Sequence, residues 1–259
     1  MVRPHIALII PVHNEAEVIG WTLDELMRVL PQKEDYTISV GLNATTDRSE
    51  EIIRERNGVL IGHTESQGYG HGCLAAIEAT RSCRPLPDAY LFLSGDGAHD
   101  PRDIPLFRSA FEEGWPFVLG SRTRHTGLRP WHRSASNRVL GAWAALLSGH
   151  WFDDLGPFRL IARPVFDQLA LSEYIWGWTI EAQILAARLG IPIQTVAVTE
   201  RPRQAGSQKV SGVSLSQTLR IGAAIARAGW RSARRPLPAP VAPCQGPTPL
   251  HNGRDEPPA

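Results

Sequence analysis

The run His5-Ile6-Ala7-Leu8-Ile9-Ile10 is almost wholly apolar and ends at Pro11, as expected of a buried strand in a parallel sheet. Behind it, Val18, Ile19, Leu23, Leu26, Met27 and Leu30 recur at helical spacing and predict a helix over 15–30. Short apolar runs predict further strands at 37–40, 59–61, 89–93 and 116–120, with helices over 48–56 and 72–80 between them. This alternation predicts an open parallel α/β sheet wrapped by helices. The pattern then changes. An apolar helix near 137–150, a strand around 157–162, a helix over 178–189, a strand at 193–199 and a helix over 213–231 are predicted. Eight of the 21 prolines crowd into the last 24 residues, which predicts a disordered tail over 236–259.

At 259 residues, with 42% hydrophobic and 20% charged residues, the composition is that of a globular domain and excludes disorder as the overall state. The net charge of +1 gives no general reason to expect a nucleic acid. Its distribution is uneven, however: from Arg201 to Arg254 there are nine Lys or Arg and no acid. The three cysteines form no CxxC pair, which argues against a disulfide framework and fits a reducing, cytoplasmic setting. The longest uncharged apolar stretch before the tail, Val139–Phe152, has 14 residues, where a membrane-spanning helix needs about 20. No signal peptide is read at the start of the sequence.

In open α/β sheets ligands gather at the carboxyl ends of the strands. Those ends carry Pro11–Glu15, Leu42–Asp47, Ser94–Asp100 and Gly120–Arg122, so the pattern predicts that their polar side chains share one crevice. Each group also has a plainer reading. Asn14 and Asp47 are ordinary helix caps, and Glu15 and Glu181 suit helix N-termini. Gly68-Tyr69-Gly70-His71-Gly72 is either a tight turn or a backbone cradle for an anion. Asp96, between Gly95 and Gly97, is either a turn residue or a ligand for a hard divalent cation. Asp153-Asp154 before a strand is a solvated turn or holds a general base. The loop 201–212, with Arg201, Arg203, Lys209 and no acid, is a candidate phosphate site.

Taken in order, PVHNEA, LNATTD, GYGHG, GDGAHDP, GSR, DLGPFR, GWTIEAQ and RQAGSQKVSG resemble the motifs of a family 2 glycosyltransferase of the GT-A fold, in particular the polyprenyl-phosphate (dolichol-phosphate-type) hexose synthases. The resemblance runs from about Ile6 to Gly212. It implies a catalytic domain over 1–212, with a Rossmann-like, mostly parallel sheet, followed by a basic amphipathic helix over 213–235. It implies inverting hexosyl transfer from a UDP-, GDP- or dTDP-sugar to an acceptor such as a polyprenyl phosphate. Pro11, Glu15, Asn43, Asp96 and Arg122 would hold the nucleotide sugar. Mg²⁺ or Mn²⁺ would sit on Asp96. Arg159, Arg203 and Lys209 would bind phosphate or acceptor, and Asp154, or else Glu181, would be the base. The chain departs from the family pattern at Ser94, in the place of the first DxD aspartate, at Ala98, and at Gln208.

Two other functions use similar parts. A sugar nucleotidyltransferase needs a Gly-rich basic loop after the first strand, where this chain has Pro11–Glu15. A non-catalytic nucleotide-sugar-binding protein would be compatible with Ser94. In the C-terminal helix, Arg220, Arg227, Arg231 and Arg234 share one face. That face is expected either to be merely solvated or to lie on anionic lipid, giving a peripheral membrane contact without a spanning helix.

Overall fold

A computed structural model describes residues 3–30, 32–125, 131–203 and 215–237, without the side chains of 33, 124–125, 131–138 and 215–219. Seven strands form one sheet in the order β3-β2-β1-β4-β6-β5-β7. They are β1 (Ile6–Val12), β2 (Tyr36–Asn43), β3 (Val59–Thr64), β4 (Ala89–Phe92), β5 (Phe117–His125), β6 (Arg159–Ala162) and β7 (Ile193–Glu200). All pairings are parallel except those of β6, which runs against both β4 and β5. The result is a single α/β domain. The reversal of β6 is the main departure from the parallel sheet expected; four buried apolar-rich residues read the same in either direction.

Side-chain alternation along β1 explains the layering. Ile6, Leu8, Ile10 and Val12 enter one core, whereas Ala7 and Ile9 enter the other. The first core is closed by α1 (Ile19–Val29), α2 (Ser49–Arg54) and α4 (Ile104–Glu112). The second is closed by α3 (Tyr69–Ala79), α5 (Trp131–Ser148), α6 (Arg163–Leu169), α7 (Trp178–Arg188) and α8 (Leu215–Arg234). Pro11 lies inside β1 rather than after it. It is tolerated because β4 pairs with β1 only as far as Ile9, so Pro11 borders β2 alone.

Local chemistry moves several helix boundaries. The helix expected from 15 starts at Ile19, because Asn14 takes a left-handed φ of 54° and Ala16 N–H is held by the Asp47 carboxylate at 2.9 Å. The helix expected from Gly72 begins three residues earlier, at Tyr69. Two short helices, α4 and α6, add to the elements that the periodicity predicts. A usable signal precedes the first: the Asp100-Pro101 pair starts a 3-10 turn, Pro101–Asp103, that leads into α4, with Asp100 accepting a hydrogen bond from Arg102 N–H at 3.0 Å. Gly41 and Gly62 let α3 lie directly on β2 and β3, since a Cβ at either would fall within 2 Å of the carbonyl of Gly72 or Ala75. The expected tail lies outside the described residues from 238 onward.

Candidate active site

The tips of β1, β2, β4 and β5 open on the same edge of the sheet, as their parallel register requires. Because β6 is reversed, its amino end also reaches that edge and delivers the 154–158 segment. Arg203, just past β7, draws two of these tips together. Its guanidinium pairs with Glu15 from the β1 tip, and Nη1 lies 3.5 Å from Asp96 Oδ2 at the β4 tip. Asp96 uses its other oxygen to accept from Ala98 N–H at 3.1 Å, which closes the turn around it. Three of the expected ligand-binding residues therefore meet across the mouth.

Asn43 lies beneath them. Its amide donates to Val12 O at 2.8 Å and accepts from Gly68 N–H at 3.2 Å, tying β1, β2 and the start of α3. A Cβ at Gly72 would come within 2.7 Å of this amide and 2.8 Å of Pro11 Cβ, so Gly72, Pro11 and Asn43 form a close-fitting floor. His13 reinforces it. The backbone carbonyl of Asn43 can only accept, so His13 Nδ1 carries the proton in their 2.8 Å contact, and its Nε2 receives Gln67 Nε2–H at 3.1 Å. Asp47 takes the plainer of its two readings: it accepts from Ser49 N–H at 3.0 Å and from Ala16 N–H, capping α2 and pinning the β1 loop.

A second acid–arginine–acid group sits deeper. Asp154 accepts from Arg122 Nε at 2.7 Å, Arg122 Nη2 at 2.6 Å, Arg122 N–H at 3.0 Å and Gly156 N–H at 2.8 Å. Arg122 Nη1 reaches Glu200 at 3.3 Å. Burial opposes the Arg122 charge, but the hydrogen bonds and fields of Asp154 and Glu200 outweigh it and hold the guanidinium more firmly protonated than usual. Above this group His99 stacks on Phe158 at 4.6 Å and accepts from Ser94 N–H at Nδ1. Burial first, and then the nearby Arg122, push its pKa down to about 3, so the ring is neutral.

Four of the expected site residues are engaged with the protein itself. Arg159 is 1% exposed and donates to the carbonyls of Gly156 and Thr179. Burial draws its pKa down to about 10. It props the 154–156 loop from below and presents nothing to a phosphate. Glu181 is also 1% exposed; it accepts from Ser172 N–H, Ser172 Oγ and Glu173 N–H at 2.8–2.9 Å and takes Arg235 at 3.4 Å. It fastens the 172–173 turn to α7 and touches neither Asp154 nor Arg122. Asp154, expected as the base, accepts four hydrogen bonds on its carboxylate and anchors Arg122. Arg122, expected on a diphosphate, is likewise committed to Asp154 and Glu200. Lys209 lies outside the described residues.

Comparison with known proteins fixes the family. The sequence model of glycosyl transferase family 2 matches residues 7–169, more than half of the chain. The chain belongs to that family. This glycosyltransferase is 26% identical to an uncharacterised glycosyltransferase of Mycobacterium tuberculosis over 210 residues, covering 80% of this chain and 90% of the relative. It is 25% identical to the undecaprenyl-phosphate mannosyltransferase of Micrococcus luteus, covering 79% and 86%. Among solved structures it is similar to the glucosyl-3-phosphoglycerate synthase of Mycobacterium tuberculosis crystallised with Mn²⁺, UDP-glucose and phosphoglyceric acid. There the TM-score is 0.68 at 18% identity, over 90% of this chain and 81% of that one, which establishes a shared GT-A fold.

The glycosyltransferase offers a metal little of its own. Among the described residues no three His, Cys, Asp or Glu side chains converge as a cation site. Asp100, the other acid of the β4 tip, is bound to Arg201 at 2.6 Å. Asp96 Oδ2 would supply one oxygen ligand, which fits a Mg²⁺- or Mn²⁺-like cation whose remaining ligands would come from a diphosphate and water. Sequence reasoning missed Glu200 and the Arg201–Glu25 pair, whose partners lie 176 residues apart. The one signal was position: Glu200 and Arg201 both sit at the exit of a predicted strand.

Proposed function

We propose that this enzyme transfers a hexose from a nucleotide sugar to a polyprenyl phosphate, inverting the anomeric centre. The observation that carries the reading is the meeting of Glu15, Asp96 and Arg203 over the floor built by Pro11, Asn43 and Gly72. The acceptor oxygen attacks the anomeric carbon from the face opposite the diphosphate. The bond from that carbon to the diphosphate breaks, and the leaving group carries away the electron pair. Arg203, with Lys209 as the second cation that the sequence suggests, stabilises the charge that grows there; in sites of this kind such stabilisation lowers the barrier more than any other effect. A divalent cation on Asp96 and the diphosphate would supply further neutralisation. Glu15 holds Arg203 at the mouth until the donor's phosphates replace it as partner.

The acceptor class follows from proton accounting. A phosphate arrives ionised and needs no base, whereas an alcohol does. Asp154, with four hydrogen bonds already on its carboxylate, supports the phosphate. The similarity to an undecaprenyl-phosphate mannosyltransferase supports it as well.

The test is a thermal-shift panel of UDP-, GDP- and dTDP-hexoses with Mg²⁺ or Mn²⁺, followed by transfer to a short-chain polyprenyl phosphate and assignment of the product anomer by NMR. Saturation at about 100 times Kd stabilises the fold by about 2.7 kcal/mol, which is a rise of about 5–10 °C for a chain of this size. Absence of a shift with every nucleotide sugar rejects the donor site. A shift without turnover on the lipid phosphate, but with turnover on an alcohol, rejects the acceptor.

A further inference from the structure

Helix α8 packs against α7 and α5. Ala228 is buried in the core, Arg188 donates to Ser232 O at 2.7 Å, and Trp143 Nε1 donates to Ala226 O at 3.3 Å. Its outward face is Arg220, Ala223, Arg227, Trp230, Arg231 and Arg234, all exposed. At the helical repeat, the four arginines fall within an arc of about 60°. The helix contains no acid at all, and Glu173 reaches up to it from below, pairing with Arg231 at 2.7 Å.

Exposed apolar side chains border this basic stripe on both sides. On one flank Ile175 and Trp176 stand out, lining with Ala224, Arg227 and Arg231 a groove of about 400 Å³. On the other, α5 displays Val139 and Leu146 at 69% and 77% exposure, two turns apart on one face, with Trp151 beyond them. Trp143 stacks on Trp230 at 6.2 Å and joins the two helices, while Arg234 lies over Trp230 at 4.0 Å. Large exposed apolar residues beside a predominantly basic face, on which Glu173 is paired with Arg231, mark an interaction surface.

We infer that this face seats the enzyme on an anionic lipid bilayer. The arginines meet the headgroups, and Trp176, Trp230, Ile175 and Leu146 enter the interfacial layer, in the manner of a helix lying in the plane of the membrane. Charge complementarity decides the partner: α8 offers four cations and no acid, and no described helix is long and apolar enough to cross a membrane. The inference stands apart from the acceptor assignment, because it needs neither donor nor turnover.

Co-sedimentation of the full chain with vesicles tests it. Binding is expected to phosphatidylcholine vesicles that contain phosphatidylglycerol, and not to phosphatidylcholine alone, and it weakens as salt is raised. Arg220→Gln, Arg227→Gln and Arg234→Gln together lower the partition coefficient about a hundredfold, about fivefold for each cation lost. Leu146→Ser with Trp176→Ser lowers it by a smaller factor that salt does not change. These positions are exposed, and an unchanged melting temperature shows that the variants are folded. Wild-type protein left in the supernatant at low salt overturns the inference. So does equal binding to both vesicle types, or an arginine variant that binds as wild type. Self-association of the chain abolished by the arginine variant, without vesicle binding, overturns it in favour of a protein partner.

Discussion

Two triads of the same composition, acid–arginine–acid, sit at the mouth of this sheet and are built to different ends. In Glu15–Arg203–Asp96 the guanidinium spans two strand tips, and its contact to Asp96 is 3.5 Å. In Asp154–Arg122–Glu200 it forks onto one carboxylate at 2.6 and 2.7 Å, and backbone N–H groups fill the remaining acceptor positions. The first triad links side chains from three strand exits. The closed one has spent its charge on itself and serves as scaffold. Residue type alone does not separate the two arginines; the partners that the fold gives each of them do.

Four measurements would break or sharpen that contrast. The largest effect is expected from Asp154→Ala, which strands Arg122 in a mostly buried site and costs about 3–5 kcal/mol of stability by urea unfolding. If that variant were as stable as wild type and only lost turnover, the closed triad would be catalytic and the distinction would fail. Next, Asp96→Ala and Arg203→Ala should each lower kcat/KM by about 100–1,000-fold, or about 2.7–4 kcal/mol. For Asp96→Ala, whose contact to Arg203 is long and more exposed, the unfolding free energy should move by no more than about 1 kcal/mol.

The third concerns pH. Unfolded, His99 takes up a proton near pH 6.5; folded, it refuses one until about pH 3. Its contribution is therefore complete above pH 6.5 and is lost as pH falls towards 3, at about 1.4 kcal/mol per unit. Between pH 6.5 and 5 the loss is about 2 kcal/mol. His99→Asn keeps an acceptor for Ser94 N–H, and it should flatten that slope in urea titrations at the two pH values. An equally steep slope would place the titrating group elsewhere. Smallest is Asp47→Ala, which removes a cap at the rim and should cost about 1 kcal/mol while leaving kcat unchanged.

All seven strands were legible, because continuous apolar runs such as Ile6–Ile10 and Ala89–Leu93 admit little else. So was the approach of the β1 and β4 tips that carry Glu15 and Asp96, since position at a strand exit fixes where a side chain emerges; that Arg203 joins them was not, because the sequence marks the loop 201–212 only as a separate phosphate site. Burial was the missing quantity. Arg159 follows a Gly-Pro turn and looks available to an anion, but its place in β6 turns it under the loop it supports. Glu181 looks like any acid at a helix start, and only the fold shows the 172–173 turn resting on it. Strand direction was equally hidden, because Arg159-Leu160-Ile161-Ala162 carries no mark of which way it runs.

The reversal of β6 has an engineering corollary. The rim proposed to receive the donor is made where parallel strands leave the sheet, whereas the opposite wall is made where a strand enters it. Residues grafted ahead of Arg159 would lengthen that wall without passing through β1, β2 or β4. Acceptor size could then be redesigned in one short segment, with the sugar-nucleotide pocket inherited intact.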